Sequence, residues 1–443
     1  MYIALIVHME NSRSLFAPDQ IASRNIPTES GKPRIIEPQR KQSEIRFEVP
    51  EDALPPSHTA RVLWNLLGTL DLNAFSAGCG SIEGNAGRSM LSPRMLMTLW
   101  LYAISQAVGS AREIERLIGS DVAYRWIAGD LRVSHHKLSG FRVGHGAALN
   151  TLMTDILAAL MNKGLLSLDV VAQDGTRTRA AASAPSFRTY GSLLECREQA
   201  ALHLKAVLAS ANDPEYTRAQ HAARANGARK FQERVEAAIA TVVELQKKAL
   251  PKADPARAST TDAEARRMKT GEGGYRPGYN FQYAVAGSPL GGPRTIVGIQ
   301  VTNLGTDMGS LEPMAEQIEE RTGKHPGVLL ADAGHAKHSD IAATRKRGID
   351  VLVSVPSNAR SIERLRQDGA DPEVIAWRER METTEAKRIY RARAGLAELS
   401  NAHQKTHHGL AQVLVRGIEK VTCVVLLNAI GSNLLQNARY LLG

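Results

Sequence analysis

Two aspartates follow apolar runs in contexts where a carboxylate could hold a metal ion. Asp174 lies in VVAQDGT and Asp332 in LLADAGH, each after a run that predicts a buried strand. Ligands of open α/β sheets bind at such strand ends, and a carboxylate there is well placed to hold a hard cation. An aspartate followed by glycine, or by alanine and glycine, also starts turns. Each aspartate alone therefore fits a structural role as well.

A third carboxylate has unusual neighbours. Glu398 is the sole acidic residue between Lys387 and Arg416, a stretch with six basic residues and three histidines. Cations in a helix can contact nucleic-acid phosphates while an isolated acid holds a metal. The pattern therefore predicts a metal ligand flanked by phosphate contacts. A salt-bridged surface helix is the alternative.

Other signals for metals or nucleophiles are weak. His335 and His338 are three residues apart, but no HExxH motif accompanies them, so surface histidines are favoured over a zinc pair. The glycine-rich segment at 271–274 lacks the spacing of a phosphate-binding loop. The cysteines are Cys79, Cys196 and Cys423, too few and too scattered for a disulfide framework, so we expect a reducing, cytoplasmic compartment.

The elements that must position these residues divide the chain into parts. Residues 1–58 are rich in proline and predict an extended or partly disordered arm. Residues 59–164 predict an all-α domain that binds DNA or simply forms a bundle. In it, Ser110 and Glu113 predict a helix start, and residues 138–163 predict one long helix.

Residues 165–443 predict an α/β domain. Strand-like runs occupy residues 165–172, 279–286, 295–302, 328–332 and 351–355. An insertion at about residues 190–255 is rich in alanine, leucine and mixed charges, which predicts helices. Asn428, Ser432, Asn433 and other polar residues interrupt the apolar C-terminal stretch at 421–442, so it predicts a docking helix and no membrane segment.

Composition favours a folded protein with a polyanionic partner. The 443 residues are 43% hydrophobic and 23% charged, which argues against general disorder and against a membrane bundle. Lysine and arginine total 55 against 45 acidic residues, a formal net charge of +10. Such a balance favours nucleic acid over membrane as the partner.

Near the C-terminus, Tyr390, Arg393, Glu398 and Lys405 are spaced as Y-x2-R-x4-E-x6-K. Seven further segments precede this arrangement: SPRMLMTLWLYA (92–103), SAREIERL (110–117), FRVGH (141–145), VAQDGTRTRAAASAPSFR (171–188), DAEARRMKTGEGGYRPGYNFQ (262–282), VTNLGTDMGSLEPM (301–314) and LLADAGHAKHSDI (329–341). Taken in order, these motifs resemble those of bacterial insertion-sequence transposases of the DDE type.

The resemblance implies a helical N-terminal domain followed by a ribonuclease-H-like catalytic domain, a mixed sheet flanked by helices. It implies that Asp174, Asp332 and Glu398 are the catalytic, metal-binding triad. Tyr390, Arg393 and Lys405 would assist DNA binding beside it. Carboxylates alone suit Mg²⁺ or Mn²⁺ rather than zinc.

The resemblance also implies the reaction and its partners. Double-stranded DNA, as element ends and as target, would be cut and joined by phosphoryl transfer. Coordinated cutting of two ends implies a dimer when DNA is bound. The expected location is the bacterial cytoplasm, in association with the nucleoid. One departure is that Leu399, Ser400, Asn401 and Ala402 replace the usual hydrophobic-aromatic-glycine step after the glutamate. Two alternatives stay open: a decayed transposase that only binds DNA, and a general nuclease.

Overall fold

The structure of the protein is a computed structural model that describes residues 49–77, 89–210, 213, 215–248, 255–270, 273–288 and 292–442. Most of the predicted arm, residues 1–48, lies outside the described residues. Its last ten residues include a short 3₁₀ turn at Pro50–Ala53. Leu54 is buried, and Arg61 bonds to Glu51 across this turn. The end of the predicted arm is thus packed against the first helix.

The first part of the unit is helical, as predicted. Its helices are α1 (Thr59–Gly68), α2 (Pro93–Ser105), α3 (Ala111–Ser120), α4 (Val122–Ala128), α5 (His135–Gly144) and α6 (Gly146–Asn162). The hydroxyl of Ser110 accepts a hydrogen bond from the Glu113 amide at 3.4 Å, which caps α3 as expected.

The single helix predicted over residues 138–163 is wrong. The chain leaves helical geometry at His145, where φ is −127° and ψ is 36°, and this residue separates α5 from α6. Gly144 and Gly146 flank the break, and glycine weakens a helix because it loses the most backbone entropy on folding. The apolar periodicity continues across the break, so the pattern alone could not reveal it.

The second part contains a mixed sheet and a separate strand pair. The strands are β1 (Val170–Arg179), β2 (Phe187–Arg188), β3 (Ala258–Ser259), β4 (Arg266–Lys269), β5 (Tyr275–Ala286), β6 (Thr295–Thr302), β7 (Val328–Ala331) and β8 (Asp350–Val353). The main sheet has the order β4-β5-β1-β7-β8. Strand β6 also pairs with β5. Contacts of β1, β4 and β6 with β5 are antiparallel, whereas β1-β7 and β7-β8 are parallel. This is the predicted ribonuclease-H-like mixed sheet.

The first predicted strand is displaced in the structure. It was expected at residues 165–172, but β1 begins at Val170 and continues to Arg179. The apolar run ends before Asp174, but β5 still offers backbone partners as far as Arg179, and the backbone pairing extends the strand. Strands β2, β3 and β4 are short and partly polar, so periodicity did not predict them.

The helical insertion consists of α7 (Tyr190–Ala209) and α8 (Arg218–Lys247), which pack against each other. Leu193, Val235 and Val242 are buried in a small apolar cluster of their own. A capping box between Thr217 and Gln220 starts α8.

The remaining helices cover the sheet. They are α9 (Leu311–Thr322), α10 (His338–Lys346), α11 (Ile362–Gln367), α12 (Pro372–Glu382), α13 (Thr384–Tyr390), α14 (Leu399–Thr406) and α15 (Ile418–Leu442). Within the described part of the chain, α15 is the one helix long and apolar enough to span a membrane, and most of its apolar stretch is buried in the protein. Its contacts with α2, α6 and β6 make it a core helix, as the docking-helix prediction expected.

One hydrophobic core joins the helical part to the sheet. Leu101 of α2, Leu157 of α6, Ile296 of β6 and Ile430 of α15 belong to the same buried cluster. From Val49 to Gly443 the chain forms one compact unit. The division into domains at residue 164 stays a prediction.

Candidate active site

Asp174 lies inside β1 rather than at the end of the strand. Strand β7 pairs only with Val170–Ala172, so Asp174 comes just after the point where the parallel pairing ends, while β5 continues opposite it. Its carboxylate accepts hydrogen bonds from the Gly175 amide at 3.0 Å and from Asn401 Nδ2 at 3.1 Å. Burial raises the pKa of Asp174, and the negative charge of Asp332 raises it further.

Asp332 follows β7 directly, as predicted. It caps the 3₁₀ turn at Ala333–His335, with Oδ1 accepting from the Gly334 amide at 3.0 Å. The same oxygen is 2.7 Å from His335 Nδ1. This hydrogen bond to His335 is the main cause of the lowered pKa of Asp332. Gly175 and Gly334, which follow Asp174 and Asp332, both face Asp307, so the segments that carry the two predicted aspartates meet. The charge of Asp332 accordingly acts on Asp174.

Glu398 is linked to the aspartates by Arg393. It ends a π-helical turn at Ala394–Glu398, between α13 and α14, and its side chain is 52% exposed. Arg393 forms an ion pair with Glu398. Burial works against the charge of Arg393, but Tyr390, Asp174 and Glu398 together raise its pKa. The negative charges of Asp174 and Glu398 therefore both stabilise the charged form of Arg393.

The three predicted ligands do not form one compact cluster. Across the described residues, no group of three or more His, Cys, Asp or Glu side chains lies close enough together to hold a metal ion. The charge of Asp332 acts on Asp174, whereas the described partner of Glu398 is Arg393. A metal held by all three acids thus requires the Arg393–Glu398 ion pair to open.

Tyr390 and Lys405 occupy different positions relative to the aspartates. The Tyr390 hydroxyl donates to the carbonyl of Ala331 at 3.1 Å, one residue before Asp332. Burial is the main cause of its raised pKa, and the guanidinium of Arg393 lies 5.9 Å from its ring. Lys405 lies in the last turn of α14 and is half-buried. DNA-binding roles for Tyr390, Arg393 and Lys405 stay predictions.

The expectation of surface histidines is wrong for His335, whose exposed fraction is 0%. Its ring lies between Asp332 Oδ1 and Gln282 Oε1, at 2.7 and 3.0 Å. The turn after β7 directs the ring inward, whereas His338 starts α10 and is exposed. Spacing alone could not distinguish a turn from a helix here.

Four residues form a hydrogen-bond network with the aspartates that the sequence patterns did not predict. They are Asn401, His335, Gln282 and Asp307. Asn401 belongs to the segment that departs from the relatives' pattern, yet it donates to Asp174. Gln282 and Asp307 lie within the motifs at residues 262–282 and 301–314, which resemble the transposase family. The spacing of the two residues along the chain did not indicate any contact with the aspartates.

The donor set suits a hard cation. In the part of the chain that the structure describes, the buried Oδ1 of Asn401 accepts no hydrogen bond, although Nδ2 of the same side chain bonds to Asp174. Carboxylate and amide oxygens are preferred ligands of Mg²⁺ and Mn²⁺. The negative charge of Asp332 raises the pKa of Asp174, and a cation beside the two carboxylates would offset that repulsion. Asp174, Asp332 and Asn401 therefore fit the divalent metal that DDE domains use.

Two segments match known families. Residues 354–437 match a family described as Transposase DDE domain, and residues 48–143 match one described as Transposase domain (DUF772). The first segment contains Tyr390, Arg393 and Glu398, and the second spans α1 to α4 and most of α5. No curated protein and no solved structure matches the chain significantly. One match lies in the helical first part and the other in the segment after β8, and both are consistent with the insertion-sequence DDE transposases that the motifs resemble.

Proposed function

We propose that the protein cleaves DNA at the ends of its element and joins those ends to target DNA, with Asp174, Asp332 and Glu398 as metal ligands. The observation that supports this most is the interacting pair of aspartates, one on β1 and one after β7, in a chain with a DDE transposase segment. The transfer takes place on double-stranded DNA in the bacterial cytoplasm, with two copies on paired ends.

Asp174, Asp332 and Asn401 would hold the metal, and Glu398 would join them. When bound, Mg²⁺ or Mn²⁺ supplies the charge that activates a nucleophilic oxygen and stabilises the leaving oxygen in phosphoryl transfer. Carboxylate and amide oxygens favour these ions over zinc, because both ring nitrogens of the neighbouring His335 are already bonded, to Asp332 and to Gln282.

Arg393 links substrate binding to the acids in this proposal. A DNA phosphate competes with Glu398 for the guanidinium, because arginine forms paired hydrogen bonds with phosphate as well as with carboxylate. The half-exposed Glu398 side chain can then turn from Arg393 towards the aspartates. Lys405 lies about two helical turns after Glu398. It adds a phosphate contact on the same helical stretch.

Replacing Asp332 by Asn tests the proposed reaction. We expect Asp332→Asn to abolish metal-dependent cleavage of end DNA, because an amide cannot supply the anionic ligand, while binding of the same DNA is retained. Asp169→Asn is the control, an exposed aspartate just before β1, and should cleave like the wild type. Cleavage by Asp332→Asn at the wild-type rate would refute the assignment.

A DNA-binding protein without catalysis is the second candidate. It is favoured by the ion pair that ties Glu398 to Arg393 and by the absence of a three-ligand cluster among the described residues. Specific retardation of end DNA by the wild type, with no nicking in Mg²⁺ or Mn²⁺, would support it. Equal cutting of DNA that lacks the element ends would instead indicate a general nuclease.

A further inference from the structure

Asp307 is a fourth acidic residue close to the aspartate pair. It lies in the loop between β6 and α9, within the motif VTNLGTDMGSLEPM, and its side chain is 15% exposed. Its Oδ1 accepts from Asn280 Nδ2 at 2.7 Å and from Gln282 Nε2 at 2.5 Å. Its Oδ2 is 3.8 Å from Arg177. The carboxylate is thus held by side chains from two adjacent strands, β1 and β5.

A continuous series of hydrogen bonds joins Asp307 to Asp332. Gln282 bonds to Asp307 through Nε2, and its Oε1 is 3.0 Å from His335 Nε2. His335 in turn contacts Asp332 Oδ1 at 2.7 Å. Gln282 and His335 are both fully buried, so solvent does not offer them alternative partners.

Asp307 determines which way the Gln282 amide faces. A carboxylate only accepts hydrogen bonds, so the NH₂ group of Gln282 must point to Asp307 and its carbonyl oxygen to His335. Gln173 Nε2, 3.4 Å from the same carbonyl oxygen, is consistent with this orientation. Without Asp307 only the longer contact from Gln173 distinguishes the two ends of the Gln282 amide.

The glycines after the two catalytic aspartates leave room for this arrangement. A Cβ atom on Gly175 would lie 2.2 Å from Asp307 Oδ1 and 2.4 Å from Gln282 Nε2. A Cβ atom on Gly334 would lie 3.0 Å from Asp332 Oδ1 and 3.3 Å from Asp307 Oδ2. Neither glycine has a positive φ, so backbone conformation does not require glycine at these positions. The close approach of Asp307 explains why a side chain would not fit there. The Asp-Gly and Asp-Ala-Gly sequences therefore accommodate Asp307 in addition to forming turns.

We propose that Asp307 is a positioning residue, which orients Gln282 and through it the His335 ring that holds the Asp332 carboxylate. It acts through these side chains and does not touch the reacting atoms. The inference rests on the proposed function, because Asp332 is the residue whose position it controls.

The first test measures the His335 ring without metal or DNA. In protein labelled with ¹⁵N-histidine, the His335 resonances are assigned by their loss in His335→Gln. Asp307→Ala should shift them, whereas Asp307→Asn, which keeps an acceptor oxygen for Gln282, should leave them close to the wild type. Asp262→Asn is the control, a buried aspartate bonded to Tyr279 outside this network, and should not shift them. Unchanged resonances in Asp307→Ala would overturn the inference.

The second test measures single-turnover cleavage of end DNA. We expect Asp307→Ala to cleave roughly 10- to 100-fold more slowly with unchanged DNA affinity, as is typical when a partner of a metal ligand is lost. Asp307→Asn should recover most of the rate, and Asp262→Asn should match the wild type.

A double-mutant cycle then identifies the route. If Asp307 acts through Gln282, adding Asp307→Ala to Gln282→Ala causes no further loss. Multiplied losses would overturn the route through Gln282. Should Asp332→Asn cleave like the wild type, the proposed function fails, while the resonances of His335 still decide whether Asp307 positions it.

Discussion

At the scale of single residues, two aspartates in one site have opposite pKa shifts. Burial raises the pKa of Asp174, whereas a hydrogen bond from His335 lowers that of Asp332. Asn401 partly offsets the shift of Asp174, because its amide stabilises the ionised carboxylate. The difference lies in the neighbours, since the residue type is the same.

Asn401→Ala should change the pH dependence of cleavage. Removing the donor raises the pKa of Asp174 further, so the carboxylate is protonated at a higher pH than in the wild type. The acid limb of the pH–rate profile should therefore move to higher pH. The rate at alkaline pH should fall as well, because the proposed metal site loses the Asn401 oxygen. The measurement is single-turnover cleavage at saturating metal across the acid and neutral range. An acid limb at the wild-type position would contradict this role for Asn401.

At the scale of elements, polar residues of the apolar helix α15 serve the sheet. Asn433 is fully buried, and its Oδ1 accepts from the Ile296 amide of β6 at 2.8 Å. Its Nδ2 donates to the Ile296 carbonyl at 2.8 Å. Strand β6 pairs with β5 on one side only, so Asn433 supplies partners that a neighbouring strand would otherwise provide. The polar interruptions that argued against a membrane helix thus join the helix to a strand edge.

Asn433→Ala should destabilise the fold. It leaves a buried amide and a buried carbonyl of β6 unpaired, which costs about 2–4 kcal/mol of unfolding free energy. Asn428→Ala is the matched control, because the amide of Asn428 bonds only to Val424 of its own helix among the described residues and should cost less. The measurement is urea unfolding at neutral pH, and equal losses in the two variants would count against a specific role for Asn433.

At the scale of the whole molecule, the helical part and the C-terminal part meet around buried basic side chains. Arg142 of α5 and His408, just after α14, line one cavity of about 20 Å³ together with Trp100 and Asn428. Burial lowers the pKa of Arg142 to about 10. Burial, with help from His403 and His407, lowers that of His408 to about 4. This junction therefore favours a neutral histidine.

Acid should weaken the folded state through His408. The folded pKa lies below the ordinary value of 6.5, so the unfolded chain binds the proton more readily between these two values. Stability is fully present above pH 6.5 and falls as pH drops towards 4, by about 3 kcal/mol from this residue. His408→Gln should flatten that part of a stability–pH curve, whereas His203→Gln, at an exposed position on α7, should not. A steep curve in His408→Gln would assign the acid sensitivity to other groups.

Local patterns in the sequence were sufficient for much of the fold. Apolar periodicity and run length predicted the helical first part, the helical insertion, the buried strands at 295–302 and 328–332, and α15 as a buried helix. These features depend on neighbours within one or two turns or along one strand, which is where sequence patterns carry information. The mixed sheet was expected from the resemblance to DDE transposases, which rests on the number and order of the matching motifs.

The sequence predicted the candidate acids, and it placed Asp332 after a strand and Glu398 in a basic helical stretch, where the structure has them. Their hydrogen-bond partners depend on the folded chain. Asn401 lies 227 residues from Asp174 and Gln282 lies 53 from His335, distances along the chain at which spacing contains no information about contact. The extension of β1 past Asp174 depends on pairing with β5, and the burial of His335 depends on its contact with Gln282 of that strand. Side-chain hydrogen bonds form in whatever geometry the folded backbone offers, so they are a property of the assembled core rather than of any local pattern.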